Sequence, residues 1–231
     1  MNSVLGAYFL ALFAAHGPQR WWPGRSRFEV IVGAILTQNT SWKNVERAIA
    51  NLRSTRLLSP QAVRDVHPAR LAACLRPSGY FRQKSKTLKT FVAFLFSDYG
   101  GSLNRLFAKP TQILREQLLA VRGIGPETAD SILLYAGKHP VFVVDAYARR
   151  ILERHGLAHP EAGYEQLRAT FESALPHDHQ VFNEFHALIV ETGKQHCRRT
   201  NPDCSNCPLA EFLPVSAHSL VTHHESPVTA Q

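Results

Sequence analysis

The chain has 231 residues, 45% of them apolar and 19% charged, a balance that excludes an intrinsically disordered protein and allows a sizeable core. Lysine and arginine outnumber the acids by 26 to 18, a formal charge of +8 with histidine neutral. That excess points first to a polyanionic partner such as nucleic acid, with ordinary surface charge as the other reading, and no run of ~18 apolar residues suggests a membrane span.

The opening MNSVLGAYFLALFAAHGPQR lacks a basic leader and spaces its apolar residues as an amphipathic helix, so it reads as a packed helix and not as a signal peptide. Periodicity predicts helices over 4–15, 28–37, 43–53, 60–75, 84–98, 111–120, 126–137, 145–156, 162–175 and 179–194. The loops between them carry HGPQRWWPG, RPSGYF, DYGGS, GIGP, GKHP and ALPHDH. HPVFVVD is too short and too isolated to argue for a sheet, so the expected class is all-α. From about Ser216 the chain is polar and patternless and reads as a frayed tail. Cys197, Cys204 and Cys207 crowd together while Cys74 stands alone. This is a poor disulfide framework and a better metal signal, expected in an intracellular, cytoplasmic protein.

In LLAVRGIGPETADSILLYA two apolar helices flank a tight turn. Gly123 and Gly125 permit positive φ and close backbone approach, and Gly125–Pro126 suits an N-cap and first helical position. Arg122, Gly123, Ile124 and Gly125 then form the hairpin of a helix–hairpin–helix, whose amides bind a DNA phosphate without reading sequence; a plain packing corner is the alternative. Downstream, KHPVFVVDAYARRIL places Asp145 at a helix start, where on its own it reads as an N-cap. The basic, aromatic segment SGYFRQKSKTLK is expected to track phosphates through residues such as Lys84, or else to be a solvated helix face.

From about Trp21 to Pro214 the chain resembles the helix–hairpin–helix DNA glycosylases related to endonuclease III, and within them the 3-methyladenine DNA glycosylase III branch. Four separated segments carry the likeness: WWP, GAILTQNTSW, RPSGYFRQK and GIGPETAD. The resemblance implies a two-lobed all-α fold, with a helical barrel lobe over 26–138 and a discontinuous lobe from 1–25 and 139–214, leaving 215–231 as a flexible tail. It implies that DNA lies across the cleft with Asp145 facing the sugar. Asp145 and Glu127 would be catalytic, and Trp21, Pro23, Trp42 and Lys194 would surround the extruded base, with Trp22 in the core. Gln38 and Tyr80 fall where the family wedges residues into the duplex. Members that also cut the strand carry a Schiff-base lysine at the position of Glu127, so covalent imine chemistry is not expected here. The implied partner is double-stranded damaged DNA, bound by a monomer.

Elementary chemistry agrees with that assignment. A flipped base loses its stack, and aromatic walls replace it at about 1–3 kcal/mol per base. An N3-alkylated adenine is cationic, so an indole face adds roughly 0.5–2 kcal/mol of cation–π attraction. Alkylation already makes the base a good leaving group, leaving a carboxylate to stabilise the oxocarbenium ion or orient water. Rival readings are a glycosylase for another lesion or mismatch and a noncatalytic lesion-binding protein. The spacing Cys197-x6-Cys204-x2-Cys207 begins the family's four-cysteine [4Fe–4S] loop, but Leu213 stands at the fourth position. The expectation is a cluster with a non-cysteine fourth ligand, Glu211 and His218 being nearby; zinc on the three cysteines and His196, or no metal, remain open.

Overall fold

A computed structural model describes residues 3–214; the expected tail, His218 included, lies outside them. Every regular element among the described residues is helical. They are α1 (Val4–His16), α2 (Arg27–Leu36), α3 (Trp42–Ser54), α4 (Pro60–Asp65), α5 (Pro68–Cys74), α6 (Phe81–Tyr99), α7 (Leu103–Phe107), α8 (Thr111–Ala120), α9 (Pro126–Ser131), α10 (Ala146–Arg154), α11 (Tyr164–Ala174) and α12 (His179–Gln195). The single helix expected over 60–75 is two, because Pro68 has no N–H to donate and holds His67 in an extended conformation. Helix α7 was expected to be loop: five residues are too few to show a period, and Ser102 starts it by accepting the Arg105 amide. Helix α9 runs directly into a π-helical segment, Ile132–Gly137.

The chain divides into two compact units. One spans Trp22–Val141 and is built around α2, whose residues Phe28 to Leu36 are all buried. A helix apolar on every side belongs inside, and α3, α6, α9 and the π-helical segment surround it. Each fully buried aliphatic such as Ile31 or Ile35 contributes about 1.5–3 kcal/mol. Ser26 sets where α2 begins, its hydroxyl accepting the Glu29 amide at 3.2 Å.

The other unit joins Met1–Trp21 to Phe142–Gln231. Here α1 and α10 both pack on α12, around Phe142, Phe171, Phe182 and Phe185. Phe142 lies parallel to Phe171 with ring centroids 4.0 Å apart. The run Phe142–Val144 forms no regular element, so side chains satisfy its backbone: the Phe142 amide donates to Glu172 Oε1 at 2.9 Å. Helix α1 is less amphipathic than its spacing suggested, since Val4, Leu10 and Phe13 are exposed on it.

Candidate active site and nucleic-acid interface

Between α8 and α9 the chain turns through Val121–Gly125, closed by the Ile124 amide donating to the Val121 carbonyl at 3.0 Å. Gly123 has φ 94°, and a Cβ there would collide with the Thr87 hydroxyl on α6, so glycine is required twice over. Arg122, Gly123 and Gly125 are exposed, and among the described residues no acceptor meets the amides of Gly123 or Gly125. Ile124 corrects the expectation that all four hairpin residues face a ligand. Its amide closes the turn and its side chain, 5% exposed, anchors the hairpin in the core. Gln38 is exposed and donates to the Gly123 carbonyl (3.2 Å) and to Thr128 Oγ1 (2.9 Å). Tyr80 is 69% exposed and holds a left-handed φ of 44°. Glu127 is exposed in the first turn of α9.

Lys84 is not at the surface, which corrects the phosphate contact expected of it. It is 3% exposed, and its ammonium donates to the carbonyls of Leu36 (2.9 Å) and Ser78 (2.6 Å). Burial pushes the Lys84 pKa down. The apolar stem of a lysine packs on an amphipathic helix as well as a core residue does, so spacing alone does not say which way it faces.

The two adjacent tryptophans part company, because the division between the units falls between Trp21 and Trp22. Trp22 meets Trp42 edge to face at 5.1 Å and Tyr135 at 5.0 Å, while Trp42 Nε1 donates to Glu46 Oε1 at 2.9 Å. Trp42 is thus half-buried in an aromatic cluster with Trp22, and Pro23 beside it is exposed. Trp21, in the other unit, stacks on His186 with centroids 5.7 Å apart and planes 12° from parallel. The Lys194 ammonium lies 6.0 Å from the Trp21 ring centroid, at the outer reach of a cation–π contact.

Asp145 does cap α10, its Oδ1 accepting the amides of Tyr147 (2.9 Å) and Ala148 (2.8 Å). The cap leaves Oδ2 for another use: it lies 3.7 Å from His186 Nε2, and the Asp145 side chain is 17% exposed. Burial lowers the His186 pKa, against the opposing pull of Asp145, so the imidazole is neutral at pH 7. A ring of Tyr147 pressed on the Gly193 backbone, where a Cβ would not fit, holds α10 close to α12 and so sets this spacing. His186, buried in the apolar middle of α12, was not singled out from the sequence. Nothing local marks it, because its partners lie 41 positions upstream at Asp145 and at Trp21. The unit therefore brings together Asp145, His186, Trp21 and Lys194: a carboxylate with one oxygen locked, a neutral imidazole, an indole face and, at its edge, an exposed ammonium.

Residues 32–177 match the family model described as HhH-GPD superfamily base excision DNA repair protein. The chain belongs to that superfamily. It is 47% identical over 198 residues to "Putative DNA repair glycosylase MJ1434" of Methanocaldococcus jannaschii, covering 85% of this chain and 90% of that protein. It is 28% identical over 180 residues to endonuclease III of Thermotoga maritima, covering 78% of this chain and 79% of that one. Its fold superposes on Helicobacter pylori 3-methyladenine DNA glycosylase (MagIII) bound to 1,N6-ethenoadenine with a TM-score of 0.72 and 31% identity, covering 83% of this chain and 96% of that chain. The protein is a DNA repair glycosylase of the endonuclease III family. Among the described residues no helix of the glycosylase is long and apolar enough to cross a membrane.

The glycosylase's cysteine loop was tested against the [4Fe–4S] cluster of the family. Cys197, Cys204, Cys207 and Leu213 line one cavity, so the expected positions do converge. The cavity measures about 20 Å³, room for one water, and its fourth corner is hydrocarbon. Arg154 fills part of the wall, its Nη1 donating to Cys197 Sγ at 3.2 Å. Burial pushes the thiols of Cys204 and Cys207 up. His196 Nδ1 is buried, makes no hydrogen bond among the described residues, and lies 3.8 Å from Asp203 Oδ2. No set of three or more His, Cys, Asp or Glu among the described residues is arranged to hold a metal ion. Among the described residues the three cysteines and Leu213 do not make a complete ligand set for a four-iron cluster.

Proposed function

We propose that this glycosylase hydrolyses the N-glycosidic bond of alkylated purines such as 3-methyladenine and leaves an abasic site without cutting the strand. The observation that carries the reading is the grouping of Asp145 with the Trp21–His186 stack. Two backbone amides hold Oδ1, so the carboxylate does not rotate, and Oδ2 is directed at whatever enters beside it. Such a carboxylate, at 17% exposure, stabilises the positive charge that grows on the deoxyribose as the base departs. The neutral His186 adds no competing charge, and an electron-rich indole favours a cationic base. The likeness to a solved 3-methyladenine glycosylase at 31% identity supports the substrate class. Glu127 at the hairpin supports the monofunctional reading, because a carboxylate forms no imine.

Defined duplexes carrying 3-methyladenine, oxidised pyrimidines or mismatches test the reading when released bases are identified by mass spectrometry. The expected result is release of the alkylated purine, strand breaks only after alkali, and no covalent adduct with borohydride. Strand breaks before alkali, or a trapped adduct, would overturn the monofunctional step; release confined to another lesion would overturn the substrate class.

A further inference from the structure

Lys84 is a buried cation, and no carboxylate among the described residues pairs with it. Its charge is met by carbonyl dipoles: that of Leu36, the last residue of α2 and so the negative end of that helix, and that of Ser78, which ends a short 3-10 turn. Burying an ammonium is unfavourable, and a methionine of similar length would fill the space without that cost. What methionine would not do is join these two carbonyls. Each one opens a loop. Leu36 leads into Thr37–Ser41, which carries Gln38, and Ser78 leads through Gly79 to Tyr80.

Each loop presents one of the two exposed side chains. Tyr80 presents a large exposed aromatic from a left-handed backbone, a conformation a bulky residue keeps only where its surroundings hold it. Gln38 reaches the hairpin through the Gly123 carbonyl and Thr128. One turn along α6 from Lys84, Thr87 seats Gly123 itself. A single face of α6 thus supports the Gln38 loop, the Tyr80 turn and the hairpin.

We infer that Lys84 is a positioning residue: its ammonium clamps the Gln38 loop to the Tyr80 turn so that both side chains enter the duplex together while the hairpin holds the backbone. The inference rests on the reading that Gln38 and Tyr80 enter DNA. The probe is a duplex with a stable abasic-site analogue flanked by 2-aminopurine, whose fluorescence rises when the neighbouring stack is broken. It is read with the full chain at saturating protein, so that neither base release nor affinity enters the signal. Tyr80→Ala and Gln38→Ala are expected to return it towards the free-DNA level. Lys84→Met, folded by circular dichroism, is expected to do the same, and adding Tyr80→Ala to it to lower the signal no further. Lys84→Met should also weaken binding about tenfold, the equivalent of one buried hydrogen bond. Lys84→Gln, which keeps two N–H donors on a shorter arm, should fall between, and it carries the test if the methionine variant does not fold. Full signal in the folded Lys84 variants, with Tyr80→Ala low, would overturn the clamp, as would losses that simply add. Full signal in both Tyr80→Ala and Gln38→Ala would overturn the reading beneath it, a separate and recognisable failure.

Discussion

Arg115 on α8 and Asp130 on α9 form a two-pronged ion pair across the base of the hairpin, Nε to Oδ1 at 2.7 Å and Nη2 to Oδ2 at 3.1 Å. The side chains are 7% and 0% exposed, so the pair is shielded from water. Arg115→Met leaves a carboxylate buried in the core, at a cost of about 3–5 kcal/mol. For a chain of this length that lowers the melting temperature by about 6–20 °C, at roughly 2–4 °C per kcal/mol. Asp130→Leu removes the carboxylate end of the same pair and should cost a similar amount. The double variant Arg115→Met/Asp130→Leu removes both charges, and replacing a buried pair by apolar residues is often near neutral. The coupling energy from urea melts of the four proteins should therefore be about 6 kcal/mol or more in magnitude. Because the pair joins the two helices that present Gly123 and Gly125, either single variant should also weaken binding to undamaged duplex, and the double variant should recover it. Single variants costing less than about 1 kcal/mol, or two costs that add without coupling, would refute a desolvated, hydrogen-bonded pair.

Asp145→Asn keeps an oxygen for the Tyr147 and Ala148 amides, so stability should change by less than about 1 kcal/mol. Single-turnover base release from methylated DNA should nevertheless fall by about 100-fold or more, and near-normal turnover would remove Asp145 from the chemistry. His139, His155 and His186 all have pKa values lowered by burial. Below the unfolded value near 6.5 the unfolded chain binds protons that the native one refuses, so stability is full above about pH 6.5 and falls on acidification, by up to about 1.4 kcal/mol per pH unit per histidine. Melts between pH 7.5 and 5 check this; a flat profile contradicts it. Leu213→Cys completes the Cys-x6-Cys-x2-Cys-x5-Cys spacing and should raise iron content and visible absorption after anaerobic reconstitution, while the native chain stays well below one cluster per molecule. Equal iron in the two proteins would show that the fourth position does not decide the matter.

Local chemistry made several features readable from the chain alone. Gly123 allows the positive φ that the tight turn needs and Pro126 suits the first helical position, and the hairpin they form is the one observed. An aspartate before an apolar-periodic segment caps it, and Asp145 does so. The periods of α3 and α10 were legible because burial repeats with the turn of the helix. Other decisions depend on residues that meet only after folding. Lys84 turned inward to carbonyls 48 and 6 positions away. Trp21 and Trp22, neighbours in sequence, went to different units. His186 found Asp145 and Trp21 because α10 and the N-terminal segment converge on α12. Backbone propensity and turn chemistry act over a few residues and so are written in the sequence. Which polar side chain is buried, and against what, is settled by packing between segments far apart in the chain, and that belongs to the tertiary structure alone.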